Sequence, residues 1–126
     1  MELSHLAAVL GEVMVVVEDD GALTLTHDGT VASVRVVTIG EGLDLVSLTQ
    51  PLAWDLKLDN EIRDRVATHA STTMLGTVVL MERSADTADV MLRYNFPATG
   101  LGDDALRTLI MLVLATGADV RADLTS

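Results

Sequence analysis

The chain has 126 residues, 49 % of them apolar and only 2 % aromatic, and its 19 acidic and 8 basic side chains leave a net charge of −11. Such a length suits one domain, residues 1–126, with a sizeable core, and the apolar fraction is above what disorder tolerates. The charge argues against nucleic acid and against anionic membrane surfaces as partners, because both need clustered Lys and Arg. With no Cys there are no disulfides, no thiolate nucleophile and no Cys-rich metal site, which leans toward the cytoplasm.

Leu3, Leu6, Ala7 and Leu10 recur at helical spacing, so a first helix is expected over 3–10 with Gly11 as its stop. Met1-Glu2-Leu3-Ser4-His5 is not a basic region leading into an apolar one, so no signal peptide is expected. Val13 to Val17 is rich in β-branched residues, stiff at χ1, and reads as a strand, although helical spacing continues through Met14 and Val17. Asp19-Asp20-Gly21 is a tight turn. Ala22 to His27 alternates as a half-buried strand does, and Asp28-Gly29 is the strongest short hairpin signal in the chain. Val31 to Ile39 is apolar on both faces and therefore expected to be central. After Gly40-Glu41-Gly42, Leu43 to Thr49 forms a fourth strand that Gln50-Pro51 should end, because Pro cannot donate to a ladder.

Pro51 to Leu58, including the lone Trp54, reads as a connection. Asp59 can cap a second helix, whose narrow apolar stripe is Leu58, Ile62, Val66 and Ala70, with Glu61 and Arg65 able to pair at i,i+4. Thr77 to Met81 and Asp89 to Phe96 flank Ser84-Ala85-Asp86-Thr87 as a hairpin. Past Pro97 and Gly100-Leu101-Gly102, the last helix opens at Asp103-Asp104. Leu106, Leu109, Ile110, Val113 and Leu114 make one apolar face, and Met111, Leu112, Ala115 and Ala118 cover much of the rest. A helix apolar nearly all round is expected to be buried on more than one side. Strands in blocks with few crossovers predict an α+β fold: an antiparallel meander sheet plus a C-terminal hairpin, packed with helices in the order α-β-β-β(-β)-α-β-β-α.

This order is similar to the type III secretion chaperone-like fold, and within it the sequence resembles the bacterial YbjN-domain family. The resemblance rests on Asp59-Asn60-Glu61 opening the middle helix and on Val90-Met91-Leu92-Arg93-Tyr94-Asn95-Phe96-Pro97 in the last strand. Gly100-Leu101-Gly102-Asp103-Asp104-Ala105-Leu106 entering the last helix and Ala118-Asp119 near its end complete it. The matching stretch runs from about residue 58 to 124. These motifs are structural. The resemblance implies a small cytoplasmic protein, often a dimer, that binds other proteins, and it brings no catalytic residue.

The residues themselves offer little chemistry. His5, His27 and His69 fall on three elements with no metal-ligand spacing, so no metal is expected. Glu18-Asp19-Asp20 and Asp103-Asp104 lack the alternating ligand pattern of a calcium loop and serve as turn and helix start. Neither Gly40-Glu41-Gly42 nor Gly100-Leu101-Gly102 is followed by the Lys-Ser/Thr pair of a phosphate loop. Ser47 and Ser71-Thr72-Thr73 have no neighbouring base in sequence, though the fold could bring His69 near one. Met74, Met81, Met91 and Met111 read either as an adaptable surface or, in preference, as core filler. Trp54 reads either as a plug at the sheet's end or as a partner anchor. The expected function is therefore a non-enzymatic interaction module, chaperone-like or regulatory, with no cofactor and with another protein or peptide as partner. It is expected to form a homodimer through Met111, Leu112 and Ala115, with Trp54 as a further contact. Two alternatives are a small-molecule sensor or carboxylate-based enzyme, which needs a deep pocket with convergent polar groups, and a structural subunit of a larger assembly.

Overall fold

The computed structural model describes all 126 residues. Helix α1 (Leu3–Gly11) leads into strands β1 (Val15–Asp19), β2 (Ala22–His27), β3 (Thr30–Gly40) and β4 (Leu43–Lys57). Helix α2 (Asn60–Thr72), strands β5 (Thr77–Glu82) and β6 (Thr87–Pro97), and helix α3 (Asp103–Leu124) complete the chain. The element order is the expected one and the class is α+β. Val13 and Met14 lie in a turn, and the apolar run becomes a strand from Val15.

Tight turns set the register of the meander. Asp20 and Gly21 have φ of 51° and 76°, and Asp28 and Gly29 have 50° and 79°. Two successive positive φ values give a turn whose twist matches that of antiparallel strands, and Asp-Gly tolerates both. All strands join one antiparallel sheet in the order β1-β2-β3-β4-β6-β5. The C-terminal hairpin thus docks through β6 onto β4 rather than standing apart from the meander.

The fourth strand corrects the sequence reading. It does not end at Gln50-Pro51 but continues to Lys57, so residues 51 to 57 are strand and not connection. The reason lies in its neighbours. Pairing with β3 stops at Ser33↔Thr49, while pairing with β6 runs on through Pro51↔Met91 to Lys57↔Thr87. From Pro51 onward β4 is an edge on its β3 side, where a missing N–H does no harm. Register shifts between Pro51 and Ala53 and between Ala53 and Leu56 bend this segment.

Every helix covers the same face of the sheet. Leu23, Val34 and Leu48 are in register across three strands, as are Gln50, Leu92 and Val78 across three more positions. The apolar members of these rows join Leu6, Leu10, Val66, Leu106, Ile110 and Val113 in one core. Asp59 caps α2 by accepting from the Ile62 amide at 2.8 Å. Of the expected α2 stripe, Leu58 and Val66 are buried and Ile62 half-buried, but Ala70 is exposed. Arg65 lies 4.0 Å from Glu61 and makes its closer bond to Asp123 of α3, at 2.9 Å. α3 buries Leu106, Ile110, Val113, Leu114, Gly117 and Val120 along one side only. Within the single chain α3 is not buried on more than one side as expected, since Leu112 and Ala115 face water. One buried polar side chain reaches α3 from the sheet. Gln50 Nε2 donates to Thr30 Oγ1 (2.9 Å) and to the Leu114 carbonyl (3.2 Å), and its Oε1 has no partner. Gly117 makes room for it, because a Cβ there would stand 1.8 Å from Oε1.

Candidate interaction surface

The sheet's other face carries no helix. Side chains alternate along a strand, so β3 sends Ala32 and Val34 into the core and Val31, Ser33, Arg35, Val37 and Ile39 outward. The third strand is interior to the sheet, as expected, yet its second apolar face is open. Val15, Val17, Val31, Val37, Ile39 and Leu43 are all exposed there, Val15 by 64 %.

Register arranges these residues in bands. At one end Val15, Thr26 and Val31 are aligned, and Pro51, Met91 and Val79 continue on the neighbouring strands. At the other end Val37, Leu45 and Pro97 are aligned, with Ile39 and Leu43 beyond them. Two polar rows separate the bands: Thr24–Ser33–Thr49–Arg93–Thr77 and Arg35–Ser47–Asn95. Neither Arg35 nor Arg93 has an ion-pair partner, whereas Arg63, Arg65, Arg83 and Arg107 all do.

Trp54 stands at the border of this face. It lies on the bent part of β4 and not in a loop, and at 58 % exposure it plugs nothing. The bend is held from β6: the buried Asp89 accepts from the Asp55 amide (2.9 Å) and from Arg83 Nε (2.6 Å). Asp55 has φ of 52°, an unusual value for a residue other than Gly, and Asp is among the residues that accept it. The Asp55 amide first, and Arg83 second, hold the Asp89 carboxyl below the ordinary range. An open cleft of about 590 Å³ lies beside Trp54, between the β2–β3 turn, β4 and the end of α3, and Arg121 and Thr125 line it.

The remaining site residues from the sequence stand apart from this face. On α3 Leu112 is 52 % exposed, Ala115 is exposed and Met111 is half-buried, so the expected dimer patch faces water but is small. The histidines do not converge. His5 Nε2 meets Asp103 at 2.8 Å, His69 Nε2 meets Asp123 at 2.7 Å, and His27 is half-buried on β2. His69 first and Arg65 second hold the Asp123 carboxyl below the ordinary range. The fold does not pair His69 with a nucleophile: Ser71 donates to the Thr68 carbonyl, and Thr73 to the His69 carbonyl, at the end of α2. No group of three His, Cys, Asp or Glu side chains is arranged to hold a metal ion, and no helix is long and apolar enough to cross a membrane. Among the methionines only Met91 is buried, and Met74 is almost wholly exposed, so core filling does not account for them as a set.

The open face was the feature that residue-by-residue reading missed. Its signal is Arg35, two residues from Ser33 and from Val37, a charge that marks one parity of β3 as wet.

With this architecture in hand, comparison with solved structures finds similar folds. The crystal structure of YbjN from E. coli, described as a candidate transcription regulator, superposes with a TM-score of 0.65. The match covers 98 % of this chain and 90 % of that one at 12 % sequence identity. The chain has the YbjN fold. At that identity the likeness carries the architecture alone, as a divergent version of it. No protein-family profile and no curated protein matches the sequence.

Proposed function

We propose that the protein is a cytoplasmic, non-enzymatic interaction module that binds another protein or an extended peptide on the helix-free face of its sheet. The observation that carries this reading is the concentration of exposed Val, Ile and Leu side chains on that face, with the exposed Trp54 at its border. Two exposed apolar bands with polar rows between them give a partner both apolar contacts and hydrogen-bonding positions, and a protein that only had to stay soluble gains nothing from them. Trp54 supplies an anchor of the kind that contributes most in such contacts. The YbjN fold accords with an interaction or regulatory role. Enzymatic readings have no matching support: His5, His69 and Arg107 are engaged with Asp103, Asp123 and Glu12, and the clefts are open.

Self-association through α3 is a second reading, favoured by Leu112 standing exposed beside Ala115. Two experiments test the pair. Immobilised protein and its Val37→Glu/Trp54→Glu variant are compared for retention of partners from native lysate; equal retention by both rejects the open face. Light scattering at micromolar concentration compares the native chain with Leu112→Glu. A native dimer that the substitution splits supports the α3 contact, and a native monomer rejects it.

A further inference from the structure

We infer that the open face is built for an acidic partner segment whose carboxylates lie between two apolar anchors. This deepens the interaction-module reading and rests on it. The argument is one of charge. Of eight basic residues in a chain of net charge −11, four have no carboxylate within 4.0 Å: Arg35, Lys57, Arg93 and Arg121. By strand parity Arg35, Lys57 and Arg93 belong to the helix-free side, and Arg121 lines the cleft under Trp54. No carboxylate occurs in the polar rows that hold Arg35 and Arg93. Three of the four unpaired positive charges of an acidic protein therefore lie on the one face that no helix covers, and the fourth, Arg121 of α3, lies in the cleft at its border. Removal from water against an uncharged partner would strand those guanidinium groups, which is costly. A second copy meeting this face with its own would oppose Arg to Arg with no carboxylate between them, so the face does not suit a two-fold homodimer. Duplex nucleic acid is disfavoured by the surrounding negative charge.

Geometry sets the partner's pattern. The apolar bands around Val31 and Val37 are six residues apart along β3, about 20 Å at roughly 3.4 Å per residue. A partner segment needs large apolar side chains at that separation, with Asp or Glu in between to meet Arg35 and Arg93. An extended segment reaches across in about six residues, and a helix in about thirteen at 1.5 Å each.

The test is selection of random peptides of about 16 residues, long enough for either form, displayed on phage against the immobilised full chain. Selected peptides are then titrated against the native chain, Arg35→Glu/Arg93→Glu, Arg35→Gln/Arg93→Gln and Leu112→Glu, each checked for an unchanged melting curve. The expected peptides carry acidic centres flanked by Leu, Ile, Phe or Trp. Their affinity falls roughly tenfold or more on charge reversal, less on Gln substitution, and not at all for Leu112→Glu. Replacing the peptide's Glu by Lys restores binding to the reversed variant. Selected peptides without carboxylates, or binding indifferent to both Arg variants, overturn the acidic partner while leaving an interaction module in place. A short DNA duplex bound by the native chain more tightly than any peptide, and lost on charge reversal, overturns it as well. Failure to select any peptide overturns this inference together with the reading beneath it.

Discussion

On one side of the sheet Leu23, Leu25, Val34 and Leu48 are sealed by three helices; on the other Val15, Val31, Val37 and Ile39 meet water. The two sets come from neighbouring positions on the same strands, and their side chains are of the same kind. Composition therefore does not decide which apolar residues become core. Parity does, together with where the chain's three helices come to rest. α1 packs against β1 and β2, α3 against β3 and β4, and α2 against β5, so one face is covered from edge to edge and nothing is left for the other. The covered face stabilises the molecule. The open face leaves its apolar area available for binding.

The largest effects should follow from cutting into the covered side. Leu114 is 1 % exposed on α3, and its carbonyl also receives Gln50. Leu114→Ala should cost about 2–5 kcal/mol, the loss of buried methyl groups plus the cavity they leave. Urea unfolding followed by circular dichroism measures it. A cost below about 1 kcal/mol would mean that α3 is not seated on the sheet as described.

Next in size is the contact between Gly117 and Gln50. Gly117→Ala places a methyl group where Gln50 Oε1 now lies, and the amide cannot move without leaving Thr30 and Leu114. Overpacking of this kind costs about 1–3 kcal/mol. Gly117→Ala/Gln50→Ala should recover part of that loss, because the second change removes the obstacle. Strict additivity of the two single changes would show that they do not touch.

Much of this architecture was legible in the chain, and the exceptions have physical causes. Asp-Gly turns, the Asp59 cap and the α3 start were readable because each depends on a few adjacent residues. The Pro51 stop was misread because a proline's cost depends on which side of the strand is paired, and pairing partners are distant in sequence. Trp54 was assigned to a connection for the same reason. The apolar excess of α3 was readable, and the single chain leaves Leu112 exposed rather than buried. The open face was missed because exposed and buried valines in β3 differ only in parity, and the one local mark of which parity stays wet is the charge of Arg35. Gln50 and Gly117 meet across 67 positions, 117 less 50, and neither shows the other in the sequence.

Smaller effects attach to the supports at the rim. Asp59→Ala removes the α2 cap and should cost about 1 kcal/mol. The carboxyls of Asp89 and Asp123 are both held below their ordinary value of 3.8, the first by the Asp55 amide and Arg83, the second by His69 and Arg65. A depressed carboxylate contributes stability that is present above its unfolded value and is lost as pH falls through the folded one. Their contribution should therefore be intact at neutral pH and disappear below about pH 4. In a pH series of urea midpoints, Asp89→Asn should be less stable than the native chain near pH 7 and should lose less on acidification. Parallel acid limbs would show that Asp89 does not carry the dependence.

The smallest expected effect is the most informative about the open face. Val37 and Ile39 are 43 % and 56 % exposed, and Val37 stands opposite Leu45 on β4. Replacing both by Thr keeps β-branching, and with it the preference for a pleated backbone, while removing apolar surface. If the face meets water in the free protein, Val37→Thr/Ile39→Thr should change stability by no more than about 0.5 kcal/mol per site. A loss of about 2 kcal/mol or more would mean that these side chains are buried in solution by something absent from the single chain. Dilution then separates the causes. Cover by a second copy makes the melting temperature of the native chain rise with protein concentration, because a partner that binds only the folded state stabilises it by mass action. A concentration-independent melting temperature with a large mutational cost would place the cover within the chain itself and end the contrast between the two faces. The expected result is a small cost and no concentration dependence, with the apolar bands still free for a partner of opposite charge.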